Sequence, residues 1–294
     1  MRGYLKNSMR GKILSVIAGV YEVYLENKER VKFTPRGKFR YLKIKPSVGD
    51  NVEVNDSQIV DIFPRINKLI RPSIANIDLG IIVVSMVKPE YSSYLLDKFL
   101  SMLKMYEIKP LIVLSKVDLL TSRDELNKII EEYNNIGIKA IAFSKRTNEG
   151  VDEIKKEIAF KTIAFTGQTG VGKSSLLNAI YPDAARAIGE YSNALNRGKH
   201  QTKEVIIYPF GDGFIADTPG FSSLELDCYK EELKDYFPFF QNVKYSCFFQ
   251  DCAHINEPKC EIIKLVNEGV IPLEHYNNYK AIYDELIFRK DRFK

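Results

Sequence analysis

The chain has 294 residues, 45% of them apolar and 28% charged, with a formal net charge of +5. That length suits two or three domains with a sizeable core. The longest apolar runs, such as LGIIVVSMV from Leu79, fall short of the roughly 20 residues of a bilayer-crossing helix, and the basic start MRGYLKNSMRGK carries no apolar signal core. These features point away from a membrane partner, and we expect a soluble, cytoplasmic protein, monomeric.

Lys and Arg crowd both ends, with Arg2, Lys6, Arg10 and Lys12 at the start and Arg289, Lys290, Arg292 and Lys294 at the finish. Such tails fit an RNA partner, and solvated tails look the same. In chain order, residues 1–70 read as short strands: KILSVIAG, VYEVYLE, ERVKFTP, DNVEVND and QIVDIF. Their alternation of apolar and polar residues is that of half-buried antiparallel strands. Five such strands predict a small closed β-barrel, an OB-fold first and an SH3-like barrel as the near alternative. KLIRPSIAN, containing Pro72, reads as the exit linker.

Residues 71–226 alternate differently. IDLGIIVVSMV, KPLIVLS, IKAIAFS and KTIAFTG read as buried strands, and helical spacing separates them in SYLLDKFLSMLKMYE, RDELNKIIEEYNNIG and VDEIKKEIAF. A further helix, KSSLLNAIY, follows the last of them. Repeated strand–helix alternation predicts a parallel α/β sheet covered on both faces, with ligands at the strands' C-terminal ends. Residues 227–294 read as mostly helical, in YKEELKDYF, EIIKLVNEG and HYNNYKAIYDELIFRKDRFK.

Gly167-Gln168-Thr169-Gly170-Val171-Gly172-Lys173-Ser174 fits G-x-x-x-x-G-K-[ST] between a predicted strand and a predicted helix. Backbone N–H groups of such a loop close around phosphate oxygens, and the helix N-terminus adds positive potential. Lys173 would reach the β- and γ-phosphates and Ser174 would ligate Mg²⁺, with Ser175 beside it. Downstream, Asp217 and Gly220 of DTPG suit a Mg²⁺-linked carboxylate and a γ-phosphate-binding N–H, although D-T-P-G is also a common turn.

Upstream lies Ser115-Lys116-Val117-Asp118, at the end of an apolar strand. A carboxylate accepts both N1–H and the N2 amine of guanine, and adenine offers neither. Lys116 would lay its stem along the base plane. The next strand ends at Ser144-Lys145, the place of a second base-contacting loop. Base reader, second base loop, phosphate loop and DTPG thus run in a permuted order. Cutting a compact domain elsewhere and joining its neighbouring ends preserves the site. Further on, Cys247-x4-Cys252-x-His254-x5-Cys260 supplies three thiolates and an imidazole, which suits one structural Zn²⁺.

The whole set resembles the circularly permuted GTPases, and within them the ribosome small subunit-dependent GTPase A family. The N-terminal barrel, RGKFR at 36–40, the permuted motifs, DTPGFSSLE at 217–225 and the cysteine cluster all fall in family order. The resemblance implies GTP hydrolysis to GDP and phosphate, Mg²⁺, 16S rRNA and the small (30S) ribosomal subunit as partner, and a late assembly or checkpoint role. Ser115 stands where the family has an Asn that tethers base loop to phosphate loop, so looser nucleotide binding is expected. In the switch segment Gly198-Lys199-His200-Gln201-Thr202, Gln201 replaces a Thr, and Thr202 is left as the Mg²⁺-sensing residue.

Ras-like enzymes orient water with a Gln after the DxxG glycine, where this chain has Phe221. His200 is the candidate to position water instead, a role the resemblance also implies. The DTPG strand leads straight into the zinc lobe, so nucleotide state is expected to reposition barrel, GTPase domain and lobe on RNA. Two other readings stand beside this one. One is a signalling GTPase whose flanking domains bind proteins, and the other an RNA-binding protein holding GTP without catalysis.

Overall fold

The computed structural model describes residues 8–56, 58–70, 73–182, 205–217, 226–241 and 243–288. Two compact units are built from the described residues. The first takes the described residues within Met1–Gly80, Val151–Phe165 and Ser174–Ser222, and the second those within Ile81–Gly150, Thr166–Lys173 and Ser223–Lys294. Each is described by itself.

The first unit opens with β1 (Met9–Ile17), β2 (Val20–Leu25), β3 (Arg30–Pro35), a one-turn α1 (Lys38–Tyr41), β4 (Asn51–Asn55) and β5 (Gln58–Ile62). They close into a barrel in the order β1-β2-β3-β5-β4. β4 returns antiparallel onto β1 and β3 pairs parallel with β5. This is the five-stranded Greek-key barrel of an OB-fold. Alternation makes the core: Tyr21, Val23 and Leu25 point inward from β2, Val52 and Val54 from β4, and α1 adds Phe39 from the RGKFR segment. Asp50, fully buried, accepts Arg65 Nε at 2.7 Å and Nη2 at 2.8 Å, and also the Ser47 N–H at 2.8 Å.

The segment expected as a plain exit linker carries structure of its own. β6 (Lys68–Leu69) pairs antiparallel with β7 (Ile74–Ala75). Leu69, Ile74 and Ala75 are fully buried. Asn67 donates to the Ile77 carbonyl at 2.7 Å and accepts its N–H at 3.0 Å, while Asn76 donates to the Gly49 carbonyl at 3.0 Å. Asparagine amides imitate backbone pairing here, and a loop-like composition hides that.

The chain continues through β8 (Leu79–Ser85), α2 (Ser93–Met105), β9 (Lys109–Ser115), α3 (Asp124–Asn135), β10 (Ala140–Phe143), α4 (Val151–Ile158), β11 (Thr162–Thr166), α5 (Lys173–Ile180), β12 (Ile206–Phe210) and β13 (Gly213–Asp217). Within the first unit β13 lies parallel beside β11, pairing Ile163 with Ile215. β12 pairs antiparallel with β13 and forms the sheet edge. This corrects the expectation of an all-parallel sheet. Pro209 obscured β12 in the sequence, and a proline inside a strand is accommodated at a sheet edge. In the second unit the order is β10-β9-β8, with β9 and β10 parallel. Leu111 to Leu114 are buried on both faces of β9, as parallel strands require.

The second unit ends with α6 (Leu233–Tyr236), α7 (Pro238–Gln241), α8 (Glu261–Asn267) and α9 (Leu273–Phe288). The single helix expected over residues 229–237 is a 3-10 turn that runs into α6 and stops at Tyr236, where Phe237 precedes Pro238 and takes an extended backbone. None of the helices among the described residues is long and apolar enough to cross a membrane.

A buried polar network fastens α9 to α2 and α3. Asp97 of α2, fully buried, accepts from Tyr133 Oη at 2.9 Å, His275 Nδ1 at 2.7 Å and Asn278 Nδ2 at 2.8 Å. The His275 ring stacks on Phe239 with centroids 3.7 Å apart, and its Nε2 lies 3.7 Å from Glu132. Burial pulls the imidazole pKa down, but the Asp97 hydrogen bond and charge hold it above the ordinary value. Stability from the protonated imidazole is complete below about pH 6.5, the ordinary histidine value. It is lost as pH rises through the higher folded-state value. The protection of α9 amides, corrected for intrinsic base-catalysed exchange, should therefore fall as pH rises above about 6.5. His275→Ala should remove that pH dependence and cost about 3 kcal/mol, as expected for breaking a buried pair. Identical exchange profiles for the two proteins would contradict this role.

Candidate nucleotide and metal sites

The phosphate loop joins β11 to α5. Gly167, Gly170 and Gly172 have φ of 131°, 82° and 103°, conformations that glycine adopts freely. A Cβ on Gly167 would lie 2.3 Å from the Val83 carbonyl oxygen of β8, so a side chain would push the loop off that strand. Gln168, Thr169 and Gly170 are exposed while Val171 is buried. Lys173 Nζ curls back to the carbonyls of Gly167 and Gln168, both at 2.6 Å. Burial lowers its pKa. The ammonium sits inside the loop, where incoming phosphate oxygens would take over from these carbonyls. Ser174 and Ser175 follow in the first turn of α5.

The base-reading segment reaches the same loop from β9. Ser115 Oγ donates to the Val171 carbonyl at 2.5 Å. A tether is thus made by the shorter serine, because the end of β9 lies close enough for its side chain to span the gap. Lys116, at φ 62°, donates from Nζ to Gly170 O at 2.8 Å and also to Lys88 O. Two consecutive residues thus clamp the phosphate loop from above.

Asp118 follows in a 3-10 turn. Its Oδ1 accepts from Ser144 Oγ at 2.8 Å, and Ser144 Oγ accepts the N–H groups of Arg146 and Thr147 at 3.1 and 3.2 Å. Arg146 Nε lies 3.5 Å from Oδ2. The second loop therefore fixes the carboxylate through one oxygen, while Lys145 stays exposed. Below it, Arg123 grips Glu149 with bonds of 2.5 and 2.7 Å and lowers the glutamate pKa. Sequence reasoning missed Arg146, Arg123, Glu149 and the Lys88 carbonyl, because none carries a motif.

Asp217 closes β13, where its backbone pairs with Ile206. The Asp217 side chain, His200, Gln201, Thr202, Gly220 and Phe221 lie outside the described residues, as do the basic tails Arg2, Lys6, Arg289, Lys290, Arg292 and Lys294.

The ligand atoms of Cys247, Cys252, His254 and Cys260 all lie within 4.8 Å of one another. His254 Nδ1 is 3.5 Å from Cys247 Sγ and 3.3 Å from Cys260 Sγ. Burial lowers the imidazole pKa to about 4, which keeps it a neutral ligand, and burial pushes the Cys260 thiol up to about 12. Three clustered sulfurs and a neutral imidazole match a tetrahedral divalent site, whose ion would stabilise the thiolates. The loop is braced from outside: the Glu257 carboxylate accepts the N–H groups of Ala253, Ile255 and Asn256 at 2.7, 2.8 and 3.1 Å. Tyr276 and Tyr279 donate to the carbonyls of His254 and Ala253 at 2.9 and 2.6 Å. Cys228 stands outside the cluster.

Two outcomes follow from this geometry. Ser115→Ala should weaken GTP binding about fivefold, the value of one buried hydrogen bond, without changing the preference for GTP over ATP; nucleotide titration measures both, and unchanged GTP affinity would contradict the tether. Cys260→Ser should abolish stoichiometric metal and lower the lobe's melting temperature by at least about 5 °C. Metal analysis and thermal circular dichroism read these, and a full complement of metal in the variant would contradict the site.

Comparison with known proteins supplies the lineage. The family model for the RsgA GTPase matches residues 62–227, and that for the RsgA N-terminal domain matches 10–59. Similar curated proteins are both called small ribosomal subunit biogenesis GTPase RsgA. The one from Caldanaerobacter subterraneus subsp. tengcongensis is 40% identical, over 97% of this chain and 98% of its own. That from Geobacillus sp. is 41% identical, over 96% and 99%. Among solved structures, YjeQ from Thermotoga maritima superposes with a TM-score of 0.81 at 35% identity, covering 96% of this chain and all of that one. YloQ, described as a circularly permuted GTPase, gives 0.82 at 35% identity over the full length of both. With the base reader clamped onto a downstream phosphate loop and matches spanning nearly its whole length, the chain belongs to the RsgA family of circularly permuted, GTP-hydrolysing enzymes.

Proposed function

We propose that this GTPase binds the small ribosomal subunit through 16S rRNA, acts in its late maturation in the cytoplasm, and leaves once GTP is hydrolysed. The observation that carries the reading is the Ser115 and Lys116 clamp on the phosphate loop. It supports one guanine nucleotide site made from motifs in permuted order. The similarity to proteins named for small-subunit biogenesis supports the partner. We assign working parts to residues 1–70, the RNA-facing barrel, 71–226, the GTPase domain, and 227–294, the zinc lobe, in a monomer.

In this reading Asp118 selects guanine, with Ser144 holding its carboxylate and Lys145 beside the base. The backbone of Gly167 to Gly172 and the Lys173 ammonium bind the phosphates, with Ser175 at the helix start. Mg²⁺ held by Ser174 and Asp217 would neutralise phosphate charge during transfer. Gly220 bonds the γ-phosphate through its N–H, Thr202 senses Mg²⁺, and His200 positions the attacking water in place of the glutamine absent at Phe221. No arginine finger is assigned, so intrinsic turnover is slow.

GTP turnover with and without 30S particles tests the reading. We expect at least a tenfold stimulation, and tighter 30S binding with a non-hydrolysable GTP analogue than with GDP. His200→Ala should lower turnover at least about tenfold, within the range for one general base, at unchanged GTP affinity. Absence of stimulation would reject the assembly-factor role and leave a signalling GTPase or a passive GTP-liganded RNA binder.

A further inference from the structure

Away from the nucleotide site, the first unit holds a cavity of about 520 Å³ between barrel strands β1 and β2 and the β12–β13 hairpin. Its volume falls in the range of about 300–1,000 Å³ usual for small-ligand sites. Three cations line it, Arg10, Lys12 and Lys28, with three aromatic rings, Tyr24, Phe63 and Phe214. The rings and cations are already organised around each other. Arg10 Cζ lies 5.1 Å from the Phe63 ring centre, and Lys12 Nζ lies 5.5 Å from that of Phe214. Tyr24 meets Phe214 edge to face at 5.7 Å.

Lys12 is the informative member. Its ammonium donates to the Gly49 carbonyl at 3.3 Å, a long bond for a group with three donors. Burial lowers its pKa against the pull of Asp78 and Asp50. A desolvated ammonium of this kind gains from an anionic oxygen brought into the cavity. Arg10 and Lys28 are exposed and continue the positive line to the mouth. At the same mouth Glu26 and Asp212 offer carboxylates, which only accept hydrogen bonds when ionised. They suit the exocyclic amine of adenine, guanine or cytosine, which brings two N–H donors, where uracil brings the single N3–H.

Flat rings with a guanidinium plane take a splayed base, and cations take its phosphate. We propose that this cavity binds one unstacked nucleotide with an amine-bearing base, from a single-stranded segment of RNA. The inference rests on the reading of the chain as an RNA-binding GTPase and adds a place and a base preference to it. A free mononucleotide has the same base and phosphate chemistry. RNA is favoured because Arg10 and Lys28 line the cavity yet are exposed to solvent, where a continuing phosphodiester chain would lie.

The test uses the full chain and fluorescein-labelled hexaribonucleotides. Hexacytidylate should bind more tightly than hexauridylate, and ultraviolet cross-linking should place adducts on peptides carrying Tyr24, Phe63 or Phe214. Phe63→Ala and Arg10→Ala lie outside the barrel core and should each weaken hexacytidylate binding at least about fivefold, the lower end for one stacked base, with intrinsic GTP turnover unchanged. Adducts confined to other peptides would overturn the proposal, as would equal binding of hexacytidylate and hexauridylate. Cytidine monophosphate competing as well as the hexamer would overturn the RNA source. Stimulation of the wild type by 30S particles, measured in parallel, judges the wider function separately. Its absence with adducts in the cavity would reject the ribosome and keep the nucleotide pocket, and its presence with adducts elsewhere would reject the pocket alone.

Discussion

A single requirement governs the second unit: the C-terminal end of β9 must meet the phosphate loop that follows β11. Ser115 Oγ on Val171 O and Lys116 Nζ on Gly170 O make that junction. Residues that bond there are more than 50 positions apart in the chain, 56 for the serine contact. The junction tolerates the permuted order because hydrogen bonds depend on position in space and not on the direction in which the chain is threaded. Gly167 completes it from below, since only the absence of a Cβ lets the loop rest on Val83 of β8. From these contacts follow the placement of Asp118, the bracing of its carboxylate by Ser144, and the inward fold of Lys173.

The C-terminal region is held by a different kind of force. Asp97, Tyr133, His275 and Asn278 form a buried network between α2, α3 and α9, in which His275 Nε2 makes no hydrogen bond and has the Glu132 carboxylate 3.7 Å away. Such a network costs desolvation and is stable only when every member has partners. The cysteine loop adds little apolar core and depends instead on Glu257, two tyrosine hydroxyls and four converging ligands. The base reader, the phosphate loop through Lys173 and this lobe thus share one compact unit. That places the lobe in the same compact unit as Ser115, Lys116 and Asp118.

Much of the fold was legible from residue pattern. The barrel strands alternate, the α/β strands are uninterrupted apolar runs, and the phosphate loop sits between a strand and a helix, so each carries a local signal. The cluster of Cys247, Cys252, His254 and Cys260 was legible for the same reason, as its spacing is short. What escaped was non-local or disguised. The 178 positions between Asp97 and His275 leave no periodic trace. The Asn67 and Asn76 stitches read as loop, Pro209 hid β12, and the Val171 carbonyl bonded by Ser115 lies 56 positions away.

The central claim is that Asp118, ahead of the phosphate loop in sequence, reads the base of the nucleotide whose phosphates that loop holds. The most direct measurement is the relative affinity of wild type and Asp118→Asn for GTP and xanthosine triphosphate. An amide in place of the carboxylate donates where xanthine presents a carbonyl, so the account predicts that preference passes from GTP to the xanthine nucleotide. An Asp118→Asn protein that still prefers GTP would contradict it.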